Sequence, residues 1–187
     1  LNHQNLPPFT DPLACQLIRE LAVSSTITLD ESAVRNLVNA VSWPQPYYLQ
    51  VAFQQLRSLI AANPATPPQE LIDTAIEQLT QPGADNDFHH WEGRLDTQLG
   101  TSLAALARAL LTQSATHPGG TRAENLLATV QQRHPDATDD EARALFVRLR
   151  DILLRDAYWL VDDSSGSRHY RFALEPLRRW WHRRNSL

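Results

Sequence analysis

The chain has 187 residues, a hydrophobic fraction of 42% and a formal net charge of −4, enough apolar content to fill one large core or two small ones. No run approaches the roughly 18 apolar residues of a membrane helix, no charged-then-apolar leader opens the sequence, and the single cysteine, Cys15, excludes an internal disulfide framework, which together lead us to expect a cytoplasmic protein with no membrane partner. Lysine and methionine are both absent, so this chain holds no phosphate-binding loop of the G-x-x-x-x-G-K-[ST] kind, and we expect it to be a piece of a longer polypeptide.

Asp11-Pro12 reads as an N-cap with proline at the first helical position, and Leu13, Leu17, Ile18 and Leu21 mark the apolar face of the helix that follows. Asp30 caps a second helix with Val34, Leu37, Val38 and Val41 inward. Ser42-Trp43-Pro44-Gln45-Pro46-Tyr47-Tyr48 then opens a third, in which Leu49, Ala52, Phe53, Leu56 and Ile60 follow the i, i+3, i+4, i+7, i+11 spacing of one helical stripe. Thr66-Pro67 repeats the cap-plus-proline start, ahead of a fourth helix carrying Leu71, Ile72, Ala75, Ile76 and Leu79. Gln81 to Asp87, QPGADND, is the clearest linker in the chain.

Beyond the linker, a helix over Phe88–Leu99 leads into another with Leu103, Leu106, Ala107, Leu110 and Leu111 inward, broken by His117-Pro118-Gly119-Gly120. Thr121 is read as the cap of a helix carrying Leu126, Leu127 and Val130. Thr138, with Glu141 three residues later, forms a capping box for a helix that buries Ala142, Leu145, Phe146, Leu149, Ile152 and Leu153. Tyr158–Val161 and His169–Phe172 flank an Asp/Ser/Gly turn and read as a β-hairpin, with Trp159, Tyr170 and Phe172 closing a core. A last helix carries Leu177, Trp180 and Trp181 among arginines. The expected class is therefore mainly α: a helical bundle over residues 1–82, then a winged helix-turn-helix unit with a small hairpin over 83–187. Charge divides in a similar way, since residues 1–99 hold four arginines against eleven acids and residues 100–187 hold thirteen against ten.

Three stretches carry a family resemblance. Leu6-Pro7-Pro8-Phe9-Thr10 together with Pro46-Tyr47-Tyr48-Leu49-Gln50 resembles the helical lid of AAA+/STAND-type ATPases, closest to the archaeal-ATPase and origin-recognition-like branch, where a G-x-P-y-x-L-Q stretch opens a lid helix. Phe88-His89-His90-Trp91-Glu92-Gly93-Arg94-Leu95 resembles the phrase that introduces the winged helix of those proteins, and the run from Tyr170 to Trp181, YRFALEPLRRWW, resembles the one that closes it. The resemblance implies a nucleotide switch. An upstream domain of the same polypeptide would hold the phosphates of ATP or ADP, and the lid would lie against the adenine, with Pro46 at the motif proline and Trp43, Gln45 and Tyr47 beside it. Pro44 stands in place of the motif glycine, which restricts φ and removes a donor. No arginine opens this helix as a γ-phosphate sensor; Arg57 is nearly three turns in, and Arg35 lies on the preceding helix. Packing of the four-helix unit is the alternative role for Trp43 and the tyrosines.

A winged helix raises the question of DNA. Direct readout would put the Thr138–Arg155 helix in the major groove, N-terminal end first, yet that end reads Asp139-Asp140-Glu141 and the hairpin tip carries Asp162 and Asp163, which phosphates repel. The outward face mixes Arg143 and Arg150 with Val147 and Leu154, a pattern closer to a protein contact. The most electropositive feature is the tail, Arg178, Arg179, Arg183 and Arg184, joined by Arg168 and Arg171. The alternative to a protein partner is thus a DNA-binding regulator using tail and hairpin. Enzyme readings find little support: His89 and His90 diverge by about 100° on a helix, Cys15 has no evident partner histidine, and no G-x-S-x-G occurs. We expect no catalytic residues and no resident metal in this chain.

Overall fold

A computed structural model of the chain describes residues 7–81, 88–163 and 166–185. The expected linker residues 82–87 and the hairpin-tip residues 164–165 lie outside them. The fold is mainly helical, with eight helices and one three-stranded antiparallel sheet among the described residues, in keeping with the expected helical bundle and small hairpin. It divides into two compact units, Leu1–Asp85 with Leu174–Pro176, and Asn86–Ala173 with Leu177–Leu187. None of the described helices is long and apolar enough to cross a membrane.

The first unit contains α1 (Asp11–Ser24), α2 (Glu31–Val41), α3 (Pro46–Ala62) and α4 (Pro68–Leu79). The Asp30 side chain accepts a hydrogen bond from the Ala33 N–H at 2.7 Å and caps α2 as expected. The other two starts are displaced by one residue: Thr10 is the N-cap of α1 and Pro67 that of α4, and neither supplies a side-chain cap. Prolines in the first turn suffice there, because an N–H at that position has no intrahelical partner to lose. The faces expected for α2 and α4 are buried throughout, and in α3 Tyr48 joins Leu49, Ala52, Phe53 and Leu56 while Ile60 is only half-buried.

The inward face of α1 requires a correction. Ala14, Cys15, Ile18 and Ala22 are buried, whereas Leu13 is 50% exposed and Leu17 and Leu21 are half-buried. Alanine contributes too little hydrophobicity to dominate a periodic pattern. α1 ends in a left-handed residue, Thr26 (φ 57°), with Ile27 N–H donating to Ala22 at 2.9 Å and Thr26 N–H to Val23 at 3.1 Å, the paired bonds of a Schellman motif. Arg19 then grips Glu31 through two hydrogen bonds of 2.7 and 2.8 Å, tying α1 to α2.

The second unit contains α5 (Phe88–Ala115), β1 (Thr121–Arg122), α6 (Ala123–Arg133), α7 (Asp139–Arg155), β2 (Trp159–Asp162), β3 (His169–Phe172) and, from Leu177 onward, α8 (Glu175–Asn185). α5 is two helices in one run, broken at Gly100 (φ 71°, ψ 163°), where the sequence places the joint. Thr121 does not cap α6. It is buried in β1, paired with Tyr170, while Arg122 pairs with His169 and serves as the N-cap without a side-chain bond. A two-residue strand leaves no alternation to read in a sequence. What delivers it to the sheet is Gly120, whose φ of 85° suits glycine and where an added Cβ would stand 2.5 Å from the Tyr170 carbonyl oxygen.

The sheet order is β1-β3-β2. Trp159 lies opposite Phe172 and Val161 opposite Tyr170, so the alternation of β3 buries Tyr170 and Phe172 and turns His169 and Arg171 to the other face. Trp159, Tyr170 and Phe172 are buried as expected. The core is aromatic and its polar edges are satisfied. The Tyr158 hydroxyl donates to the Trp91 carbonyl at 2.6 Å, Trp159 Nε1 to Ser114 Oγ at 2.9 Å, and Trp181 Nε1 to Thr112 Oγ1 at 3.2 Å. Burial pushes the Tyr158 phenol up to about 12.

Candidate functional site

Two surfaces carry the residues singled out by sequence, one in each unit. In the first unit, α2 ends at Ser42 with φ 64°, and the chain turns into α3 through Trp43, Pro44 and Gln45. The Pro44 carbonyl accepts from the Phe9 N–H at 3.0 Å, and the Gln45 N–H donates to Trp43 at 2.8 Å. Pro44 therefore gives up a donor but keeps its acceptor in use, holding the N-terminal segment against the turn. Pro46 is the first residue of α3. Of the two tyrosines, Tyr48 is buried and packs edge-on against Tyr47, 5.1 Å between centroids, while Tyr47 is 44% exposed. Trp43, Gln45 and Pro46 are half-buried.

A cleft of about 430 Å³ opens in this unit between α1 and α2, lined by Asp11, Cys15, Arg19, Arg35, Val38 and Asn39 with Pro12. None of Trp43, Gln45, Pro46 and Tyr47 lines it. The geometry thus separates the entrance of α3 from the cleft that holds Arg35. No spacing in the sequence points to this cleft, because it depends on how α1 packs on α2.

In the second unit the surface is built by α7 and the hairpin. The Thr138–Glu141 capping box forms: Thr138 N–H donates to Glu141 Oε2 at 2.8 Å, and Glu141 N–H to Thr138 Oγ1 at 3.3 Å. The Thr138 N–H holds the Glu141 carboxyl below its usual range, so this end of α7 keeps its negative charge with Asp139 and Asp140 exposed beside it. Along the helix, Arg143 is exposed and Val147 and Leu154 are half-buried, whereas Arg150 is engaged with Asp151 at 2.7 Å. At the hairpin, Arg168 meets Asp163 at 3.3 Å, and Arg171 is half-buried opposite Leu160.

The arginine-rich tail is not one surface. Arg178 is 8% exposed and donates through Nη1 to the Ala115 carbonyl at 2.7 Å, which withdraws it from any contact with a partner. Arg184 reaches Glu92 at 2.9 Å and lies over the Trp180 ring at 5.5 Å from its centroid. Glu92 also faces Arg108, which is bound to Asp96. Arg179 and Arg183 are half-buried on α8. Helical spacing groups these arginines, but the reach of an arginine stem lets each turn back onto the core.

His89 is stacked edge-on against Trp180 with centroids 5.1 Å apart. Among the described residues no set of three histidines, cysteines or acids stands together in the manner of a metal site. Comparison with protein-family models, with curated proteins and with solved structures finds no match to this chain.

Proposed function

We propose that this chain is the non-catalytic, regulatory end of a multidomain AAA+/STAND-type ATPase. In this reading the first unit is a lid beside an upstream nucleotide-binding domain that holds ATP or ADP, and the second is a winged helix that contacts a protein partner. Support for the lid comes from the order of the resembling stretches, from the exposed Tyr47 at a braced helix entrance, and from the half-exposed leucines of α1, which offer apolar surface to a neighbouring domain. Coupling requires that nucleotide favour one lid placement over another.

The observation that carries protein over DNA is the fate of the charges. Arg178 is internal, Arg184, Arg150 and Arg168 have carboxylate partners, and the ends that a winged helix presents to a groove carry Asp139, Asp140, Glu141 and Asp163. A phosphate rail needs cations unopposed by acids.

Titrating duplex DNA with increasing salt tests this. We expect no affinity with a steep salt slope; binding that falls steeply with salt and is lost on neutralising Arg179 and Arg183 would replace the protein-contact reading with a DNA-binding regulator. For the lid, the decisive observation is the sequence encoded upstream, where a phosphate-binding loop followed by an acidic strand end is expected and an unrelated domain would end the proposal.

A further inference from the structure

The sheet of the second unit packs one face and leaves the other open. Trp159, Tyr170 and Phe172 are buried on the core face, so the residues that alternate with them stand on the opposite side. Register fixes which side chains share that outer face. Arg122 of β1 lies opposite His169 of β3, His169 opposite Asp162 of β2, and Arg171 opposite Leu160. Arg122 is exposed and the other four are half-buried, so no further layer of described residues closes over them.

Arg122 and Arg171 are diagonal neighbours across β1 and β3, a spacing of about 7–8 Å that long side chains bridge. Beside Arg171 stands Gly120, where an added Cβ would come within 2.8 Å of the Arg171 Cβ; the missing side chain leaves that flank of the arginine clear. His169 lies opposite Arg122, its ring fixed by Nδ1, which donates to the Ser167 carbonyl at 2.9 Å. Arg150, Arg155, Arg168 and Arg184 are each held by an acid. Arg122 and Arg171 have no carboxylate partner among the described residues. Next to Arg122 and His169 the surface opens into a cleft of about 540 Å³, lined also by His117, Thr121 and Asn125.

We infer that this outer sheet face docks an acidic segment of a protein partner, whose two carboxylates, one residue apart in an extended chain, pair with Arg122 and Arg171. Residues i and i+2 of a strand are about 7 Å apart on one side, which matches the diagonal of the two arginines. The inference rests on the reading of the second unit as a protein-contacting module and names the surface and charge it uses. Nucleic acid is disfavoured because Glu124 lines the same cleft and Asp162 ends the row through His169; a continuous run of phosphates meets these acids, whereas two carboxylates span the arginines alone.

The test is a nuclear magnetic resonance titration of the whole chain with three probes: a capped, unstructured peptide centred on glutamate–valine–glutamate, the same peptide with both glutamates replaced by glutamine, and a DNA duplex of mixed sequence. We expect the glutamate peptide to shift the amide signals of Gly120, Arg122, His169 and Arg171, more weakly as salt rises, and the glutamine peptide to leave them unmoved. Arg122→Gln and Arg171→Gln should each weaken the glutamate peptide roughly threefold to fivefold, and Arg133→Gln, at the last residue of α6, should not. Arg122 is exposed, so its variant is expected to keep its fold, which thermal unfolding checks; this keeps the test valid if the Arg171 variant unfolds. Equal response to the two peptides, unchanged binding by folded Arg122→Gln, or no shift up to millimolar peptide overturns the acidic-segment site and leaves the protein-contact reading in place. Concentration-dependent shifts at these residues without peptide assign the face to a second copy of the chain and overturn the site as stated. Duplex DNA moving the same residues with a steep salt dependence overturns the site and the protein-contact reading together.

Discussion

Arg178 on α8 donates to the carbonyl of Ala115, the last residue of α5, across 2.7 Å in the interior of the second unit. The guanidinium satisfies a helix-terminal carbonyl that has no partner within its own helix, and the cation suits the negative end of the helix dipole. What sequence groups as the first of four tail arginines is thus a fastener for α5.

Replacing Arg178 with alanine leaves a buried carbonyl unsatisfied and removes a charge-assisted bond, and we expect a loss of about 2–3 kcal/mol. Arg143→Ala, on the exposed face of α7, should change stability by no more than about 0.5 kcal/mol. Urea unfolding of both variants checks this, and equal effects would refute the interior role of Arg178.

Gly120 and Gly93 should respond to alanine in opposite directions. At Gly120 a Cβ would collide with the Tyr170 backbone, 2.5 Å from its oxygen and 2.7 Å from its carbon, at a φ of 85°. We expect Gly120→Ala to cost more than about 2 kcal/mol and to loosen β1 from the sheet. Gly93 lies inside α5 with nothing within 4 Å of an added Cβ, so Gly93→Ala should stabilise by about 0.5–1 kcal/mol. Paired thermal melts decide.

Thr26 and Ala157 occupy left-handed positions at the ends of α1 and α7, with φ of 57° and 59°. Ala157 sits in a Schellman motif like that of Thr26, Tyr158 N–H donating to Leu153 at 2.9 Å and Ala157 N–H to Leu154 at 3.1 Å. Glycine is the residue that adopts this conformation without steric cost. Thr26→Gly and Ala157→Gly should each raise stability by up to about 1 kcal/mol, the β-branched threonine gaining more, as measured by the midpoint of thermal unfolding.

Burial raises the Tyr158 phenol from its ordinary value of 10 to about 12. The unfolded chain therefore releases this proton first as pH rises. Stability from the neutral buried phenol is fully present below pH 10 and is lost progressively between about pH 10 and 12, by an amount on the order of 2 kcal/mol. Unfolding free energies across that range should fall more steeply for the parent chain than for Tyr158→Phe. Parallel curves would show that this tyrosine is not the group responsible.

Most helices are legible in the amino-acid order itself. Caps at Asp30 and Thr138 and the apolar stripes of α2 and α4 are local signals, and local geometry honours them, while in α7 Ala142, Phe146, Leu149 and Leu153 are buried as expected but Leu145 and Ile152 are only half-buried. The joint of α5 at Gly100 is legible too. The inward face of α1 is not, because alanine and cysteine take the buried positions and the larger leucines do not. β1 escapes such a reading since its partner, β3, lies about fifty residues further along the chain and the strand is too short to show its own period.

Of the candidate site residues, sequence groups Arg178, Arg179, Arg183 and Arg184 on one helix and Arg143, Val147, Arg150 and Leu154 on another, for helical periodicity is a short-range property. Composition and periodicity alone determined a mainly helical chain of two units with a hairpin near its end. Only the tertiary structure decided which arginines turn inward, and that Arg150, Arg168 and Tyr170 line one cleft although they lie on different elements. A long charged side chain can point to solvent or fold back with little difference in local energy. The choice is made by the partner that packing brings within reach, and that partner is distant in sequence.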